Sequence, residues 1–264
     1  FAMTINSVMR RVVDSPLAHV PGGGWDLDLD SLEASFQAGA RAYLLNNPHN
    51  PTGRVLSADQ VKQIAVLAKR HSVTVISDEI HAPLVLPGAT HVPFVSVSEA
   101  VGTNAVTLTS ASKAWNIAGL KCAVIVSGSS QMQATLKALP IELTERTGHL
   151  GVMANVAAFR DGAAYLDALV QHLDRNRALM AELLGVYLPA VRYLPPQAGY
   201  LAWLDCSALG LGDDPAKTFL KKGKVALMRG LDFGRQGACF CRVNMGTSSA
   251  ILSEIVGRMG KALA

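Results

Sequence analysis

The sequence predicts an α/β fold: a mainly parallel sheet sandwiched by helices, followed by a smaller C-terminal α+β domain. Three observations carry that prediction. Short β-branched runs that do not alternate, AYLLNN (42–47), VTVISDE (73–79), AVTLTSA (105–111) and CAVIVS (122–127), read as strands covered on both faces. The segment SADQVKQIAVLAKRHS (57–72) stands between the first two with a helical period, and alternation of strand and helix argues for a parallel sheet. Beyond Pro189 the texture shifts to shorter strands.

Each element has its own local reason. Ser57 with Gln60 three residues on is a capping-box pattern, so the first helix starts there. From about 130 to 190 the pattern is helical through QMQATLKAL, LGVMANVAAF and AAYLDALVQHLDRNRALMAELLGVYL, the last long enough to bridge two domains. VRYL, YLAWLDC and CFCRVNM then read as strands, with helices near 214–222 and 249–263. The division expected is 1–160 for the large domain and 161–264 for the interdomain helix with the small domain. PGGGW (21–25) is a breaker; WDLDLD follows it and does not read as a helix start, so its glycines form no phosphate cradle.

Composition narrows the function classes. The chain has 264 residues, half of them hydrophobic and 17% charged, which supports a sizeable core and excludes disorder. A net charge of +4, with KKGK (221–224) as the one dense basic cluster, gives no nucleic-acid footprint. Apolar runs of about six to eight residues fall short of a membrane span. The four cysteines, Cys122, Cys206, Cys239 and Cys241, lack CxxC spacing and suit a reducing, cytoplasmic compartment with no structural metal. Cys239 and Cys241 alternate, so on a strand they would share a face.

In an open α/β sheet, ligands bind beyond the carboxyl ends of the strands. Polar groups fall at those ends: Asn46, Asn47 and Asn50 after AYLL, Asp78 and Glu79 after VTVIS, and Lys113 after AVTLTSAS. Taken singly, each has a plain reading as a cap, a turn or a solvated residue. Together they converge on one rim.

The blocks NNPHNPTG (46–53), SDEIH (77–81), SASKAWNIAGLK (110–121) and CRVNMG (241–246), in that order, resemble the signature of fold-type I pyridoxal-phosphate enzymes, the class I/II aminotransferase superfamily. DEIHAPLVLPGATHVPF and the form SKAWNIAGLK are similar to its MalY/PatB-type branch of C–S lyases, the cystathionine β-lyases. The resemblance implies pyridoxal 5'-phosphate as cofactor and a homodimer acting on a small amino acid. It also implies a further N-terminal part, with a phosphate-binding glycine loop, a ring-stacking aromatic residue and an arm toward the partner subunit. The chain, which begins at Phe1, is expected to lack that part.

By the same resemblance, Lys113 is the amine that captures the cofactor aldehyde and then serves as base at the substrate Cα. Asp78 pairs with the pyridinium nitrogen, and Asn50 donates to the phenolic oxygen. Ser110 and Lys121 correspond to the phosphate-contacting hydroxyl and cation; the family often has Arg at the second position, and Lys121 binds as a point charge. Ser112 is either a further phosphate contact or a local backbone partner. Arg242 suits bidentate capture of an α-carboxylate, against the plain reading of a strand arginine or interdomain ion pair. His81 stands where many aminotransferases have Tyr, and is either a cofactor contact or a satisfied histidine beside the site. His49 reads as a loop residue and Trp115 as wall and packing.

The activity implied is α,β-elimination of sulfur amino acids such as L-cystathionine to a thiol, pyruvate and ammonia. An aminotransferase is the alternative, and a non-catalytic or regulatory binding protein is the reading from outside enzymology.

Overall fold

The computed structural model describes residues 1–20 and 24–263. The chain opens with α1 (Ala2–Ser7) and an antiparallel pair, β1 (Ala18–Val20) and β2 (Gly24–Asp26). The α/β part follows as α2 (Leu29–Gln37), β3 (Ala42–Asn46), α3 (Ala58–Arg70), β4 (Thr74–Asp78), α4 (Phe94–Val101), β5 (Ala105–Thr109) and β6 (Val124–Val126). Next come α5 (Ser130–Lys137), α6 (Glu142–Glu145), α7 (His149–Asp161) and the 25-residue α8 (Ala163–Tyr187). The last part holds β7 (Arg192–Tyr193), β8 (Leu201–Asp205), α9 (Pro215–Thr218), β9 (Met228–Arg229), β10 (Phe240–Asn244) and α10 (Ser249–Lys261).

The α/β prediction holds. Strands run in the order β3-β4-β5-β6, the first three parallel. Strand β6 pairs antiparallel with β5, because the chain returns from residue 110 to 123 through a short turn rather than a crossover helix. The capping box is present in full: the Ser57 hydroxyl accepts from the Gln60 backbone, and Gln60 reaches back to the Ser57 N–H. Helix α3 buries Val61, Ile64, Ala65 and Ala68 on one face, against Val73, Val75, Phe94 and Ala105. Each large side chain buried there stabilises the fold by about 1.5–3 kcal/mol.

A second sheet, β7-β8-β10-β9, is antiparallel throughout. Its core draws Met180 and Leu184 from α8 and Leu252, Val256 and Met259 from α10. Leu173 of α8 packs instead with Leu84, Leu86 and Ala114 of the α/β part. One long helix thus touches both cores, as a bridge must.

Two local expectations fail. Asp28 accepts from the Ser31 N–H and caps α2, so WDLDLD does contain a helix start; a short aspartate in extended backbone is a strong N-cap. Gly22 and Gly23, the other part of that expectation, lie outside the described residues. Cys239 has φ +66° and sits before β10, so the alternation with Cys241 breaks. Cys241 instead faces Cys206, with sulfurs 3.7 Å apart in the buried core.

Candidate active site

The parallel register sets Asn46, Asp78 and Leu108 level at the carboxyl ends of β3, β4 and β5. Beyond β5 the chain turns through Ser110 to Lys113. That turn is fixed by the Ala111 N–H donating to Asn155 Oδ1 of α7 at 2.8 Å and the Trp115 N–H to the Ala111 carbonyl at 3.0 Å. The Trp115 indole donates to the Gly162 carbonyl at 2.9 Å and meets Phe159 edge-on, so it packs as expected. Half-buried Lys113 has no hydrogen-bond partner among the described residues.

Asp78 and Glu79 are neighbours with different surroundings. Glu79, 3% exposed, accepts from Ser77 Oγ at 2.8 Å, the Phe94 N–H at 2.8 Å, Thr107 Oγ1 at 3.2 Å and His91 Nε2 at 3.0 Å. It is a saturated structural carboxylate. Asp78 accepts only the Ile80 N–H, at 3.1 Å. Burial raises its carboxyl above the usual range, while the Ile80 hydrogen bond and the Lys113 ammonium pull it back.

The second sheet brings Arg242 to the loop after β3. Its Nη1 donates to Asn50 Oδ1 at 2.7 Å, joining the β3 loop to β10. Its guanidinium lies 4.8 Å from the centre of the Phe233 ring. No carboxylate pairs with this half-buried cation among the described residues, and burial lowers its pKa. His81, buried, meets Tyr200 edge-on at 5.9 Å. Burial pushes the His81 imidazole down to about 4, helped by Lys113 and Arg242, so the ring is neutral at pH 7. Lys113 therefore lies within electrostatic reach of both Asp78 and His81, and Arg242 within reach of His81.

Ser110 opens the loop after β5 and Lys121 closes it. Ser110 Oγ, 1% exposed, donates to the Cys122 carbonyl at 2.5 Å, contacts Ser112 Oγ at 2.6 Å and accepts the Ser112 N–H at 3.0 Å. Both hydroxyls thus face each other. Lys121 is exposed and has left-handed backbone, φ +51°. His49 bonds within its own loop, Nδ1 to Thr52 Oγ1 at 2.9 Å.

Two residues that flank the cleft have no counterpart in the sequence reading, Tyr200 and Phe233. Tyr200 directly follows PPQAG (195–199), a stretch whose prolines and glycine mark a turn, whereas nothing around Phe233 marks it. Burial raises the Tyr200 phenol and nearby Arg242 opposes this, so it stays protonated at neutral pH.

A free amine, a half-satisfied carboxylate and an unpaired guanidinium match the donor set that pyridoxal phosphate with an amino acid requires. The residues present fit the group.

The comparisons agree. The pattern of the Aminotransferase class I and II family matches residues 8–259. A Mycobacterium leprae protein named "Putative cystathionine beta-lyase" is 45% identical, covering 96% of this chain and 67% of its own. Cystathionine beta-lyase PatB of Bacillus subtilis is 36% identical over 96% of this chain and 66% of its own. The structure of the PLP-bound C–S lyase of Staphylococcus hominis, in complex with the inhibitor L-cycloserine, superposes with TM-score 0.90 at 29% identity, covering 100% of this chain and 65% of that one. The chain therefore spans about two thirds of the length of these relatives. The chain belongs to the class I and II aminotransferase family, on its cystathionine β-lyase branch.

Proposed function

We propose that this chain carries the site of a pyridoxal-phosphate-dependent C–S lyase acting on sulfur amino acids such as L-cystathionine. The observation that carries it is the half-buried Arg242, unpaired with any carboxylate among the described residues, bonded to Asn50 and acting with Lys113 on the same buried His81, while Lys113 also acts on Asp78. A cation taken out of water needs an anion, and the α-carboxylate of an amino acid supplies one.

When bound, pyridoxal phosphate supplies an electron sink for the Cα carbanion. The chain's residues do the rest. Lys113 would hold the cofactor by its amine and, once released, would take the Cα proton. Asp78 would hold a proton on the ring nitrogen. Asn50, whose Oδ1 accepts from Arg242, would donate its amide N–H to the phenolic oxygen. Lys121 and Ser110 would hold the phosphate, the first as a point charge and the second through its hydroxyl. Neutral His81 backs the cleft without competing as a cation. The sum is L-cystathionine plus water giving homocysteine, pyruvate and ammonia.

The test is the complete protein with L-cystathionine. Pyruvate, homocysteine and ammonia are expected without a keto-acid acceptor. Strict need for an added keto acid would replace this reading with the aminotransferase one. We further place the boundary between a large domain, 1–160, and the bridging helix with a small domain, 161–264. The touching of both cores by α8 supports it. Four free cysteines support a cytoplasmic setting. Among the described residues, no helix is long and apolar enough to cross a membrane. Exposed Leu150, Met153 and Phe159 on α7 support a homodimer, which sedimentation would check.

A further inference from the structure

We propose that Phe233 is the positioning residue for Arg242: its ring face carries the guanidinium and keeps the cation turned to the substrate carboxylate. The inference rests on the reading of Arg242 given above.

Arginine is long and loses much rotamer freedom when held in one place. Arg242 is fixed at its backbone by pairing with Trp203 on one side and Met228 on the other. Its head has the Asn50 amide oxygen at Nη1, 2.7 Å away, and the Met228 sulfur at Nη2, 2.9 Å away. Neither is an anion; among the described residues the group that meets the charge itself is the Phe233 ring. The Arg242 Cζ stands 4.8 Å from its ring centre, within the range where the negative face of an aromatic ring attracts a cation. Contact at the ring face uses no N–H, so the second N–H of each terminal nitrogen is left for a carboxylate.

The ring is itself held. It meets Trp203 edge-on at 5.5 Å, Trp203 stacks on Phe240 at 5.1 Å, and Phe240 touches Trp25 of β2 at 5.8 Å. The loop behind it is pinned: a Cβ on Gly230 or Gly237 would sit 2.0 Å from the other's carbonyl oxygen. Gly234, with φ +111°, makes the turn directly after Phe233, a conformation other residues adopt only under strain. A half-buried aromatic on a tightly closed loop, facing a cation that no carboxylate pairs with among the described residues, is more than general packing requires.

The experiment uses the cofactor-loaded complete enzyme with L-cystathionine. Pentafluorophenylalanine at 233 keeps the ring shape and reverses the charge on its face. KM is expected to rise about fivefold with kcat within about twofold, while Phe233→Tyr keeps the parent values. An unchanged KM in the fluorinated enzyme, or a fall in kcat alone, overturns the inference. If that chain does not fold, Phe233→Leu replaces it: KM raised likewise supports the inference, and equal KM for Phe, Tyr and Leu overturns it. Arg242→Ala checks the underlying reading separately. An unchanged KM there removes the carboxylate role itself. A large rise there, with no effect at 233, removes only the role of Phe233.

Discussion

In the parallel sheet the polar groups stand past the strand ends, Asp78 closing β4 and Lys113 in the turn after β5. In the antiparallel sheet, Arg242 stands mid-strand, with a hydrogen-bonded neighbour on each side. The difference is one of support. A group on a turn takes its position from a few bonds, such as Ala111 to Asn155, and can move during a reaction. A group on a central strand is set by the ladder and can only bind. The amine proposed to change partners sits on the turn, and the cation proposed to hold the substrate sits on the strand.

Substitutions sharpen or break that contrast. Lys113→Ala should lower turnover by about a thousandfold or more and abolish the pyridoxyl label left by borohydride reduction. A label persisting elsewhere would move the reacting amine off this turn. Asp78→Asn should lower kcat about a hundredfold, since the ring nitrogen loses its counter-charge. Arg242→Lys should act chiefly on KM, raising it about tenfold, because a point charge replaces a fork. A fall mainly in kcat would place Arg242 in the chemical step, against the contrast drawn here.

The smallest effect concerns acid stability. Burial holds His49 and His81 down to about 4, against 6.5 for an exposed histidine. Between those values the unfolded chain binds protons that the folded chain refuses, so stability is full above pH 6.5 and falls as pH drops toward 4. At pH 5 each histidine accounts for on the order of 2 kcal/mol of that loss. Urea denaturation at pH 7 and pH 5 should show the loss in the parent and a shallower one in His49→Gln. Equal slopes would mean His49 is not held neutral.

Much of this was legible in the chain. β3, β4 and β5 show as unbroken apolar runs because both faces of a parallel sheet are covered, and Ser57 with Gln60 announces α3 by its own hydrogen bonds. Strand-end chemistry was legible for the same reason: a polar group after such a run falls on the rim. What stayed hidden depends on contacts distant in sequence. The reversal of β6 leaves no mark in its composition. Nothing around Cys239 signals a positive φ. Tyr200 and Phe233 read as ordinary apolar residues until the fold sets them beside His81 and Arg242. Glu79 and Asp78 are alike in sequence, and only the four donors around Glu79 tell the anchored carboxylate from the available one.

The bond from Asn50 to Arg242 has a mechanical corollary. It ties the loop after β3 to β10, a tether that limits how far the two sheets can swing apart. Small-angle scattering should accordingly show nearly the same radius of gyration with and without a bound amino-acid inhibitor, and Asn50→Ala should loosen the resting enzyme into a wider distribution.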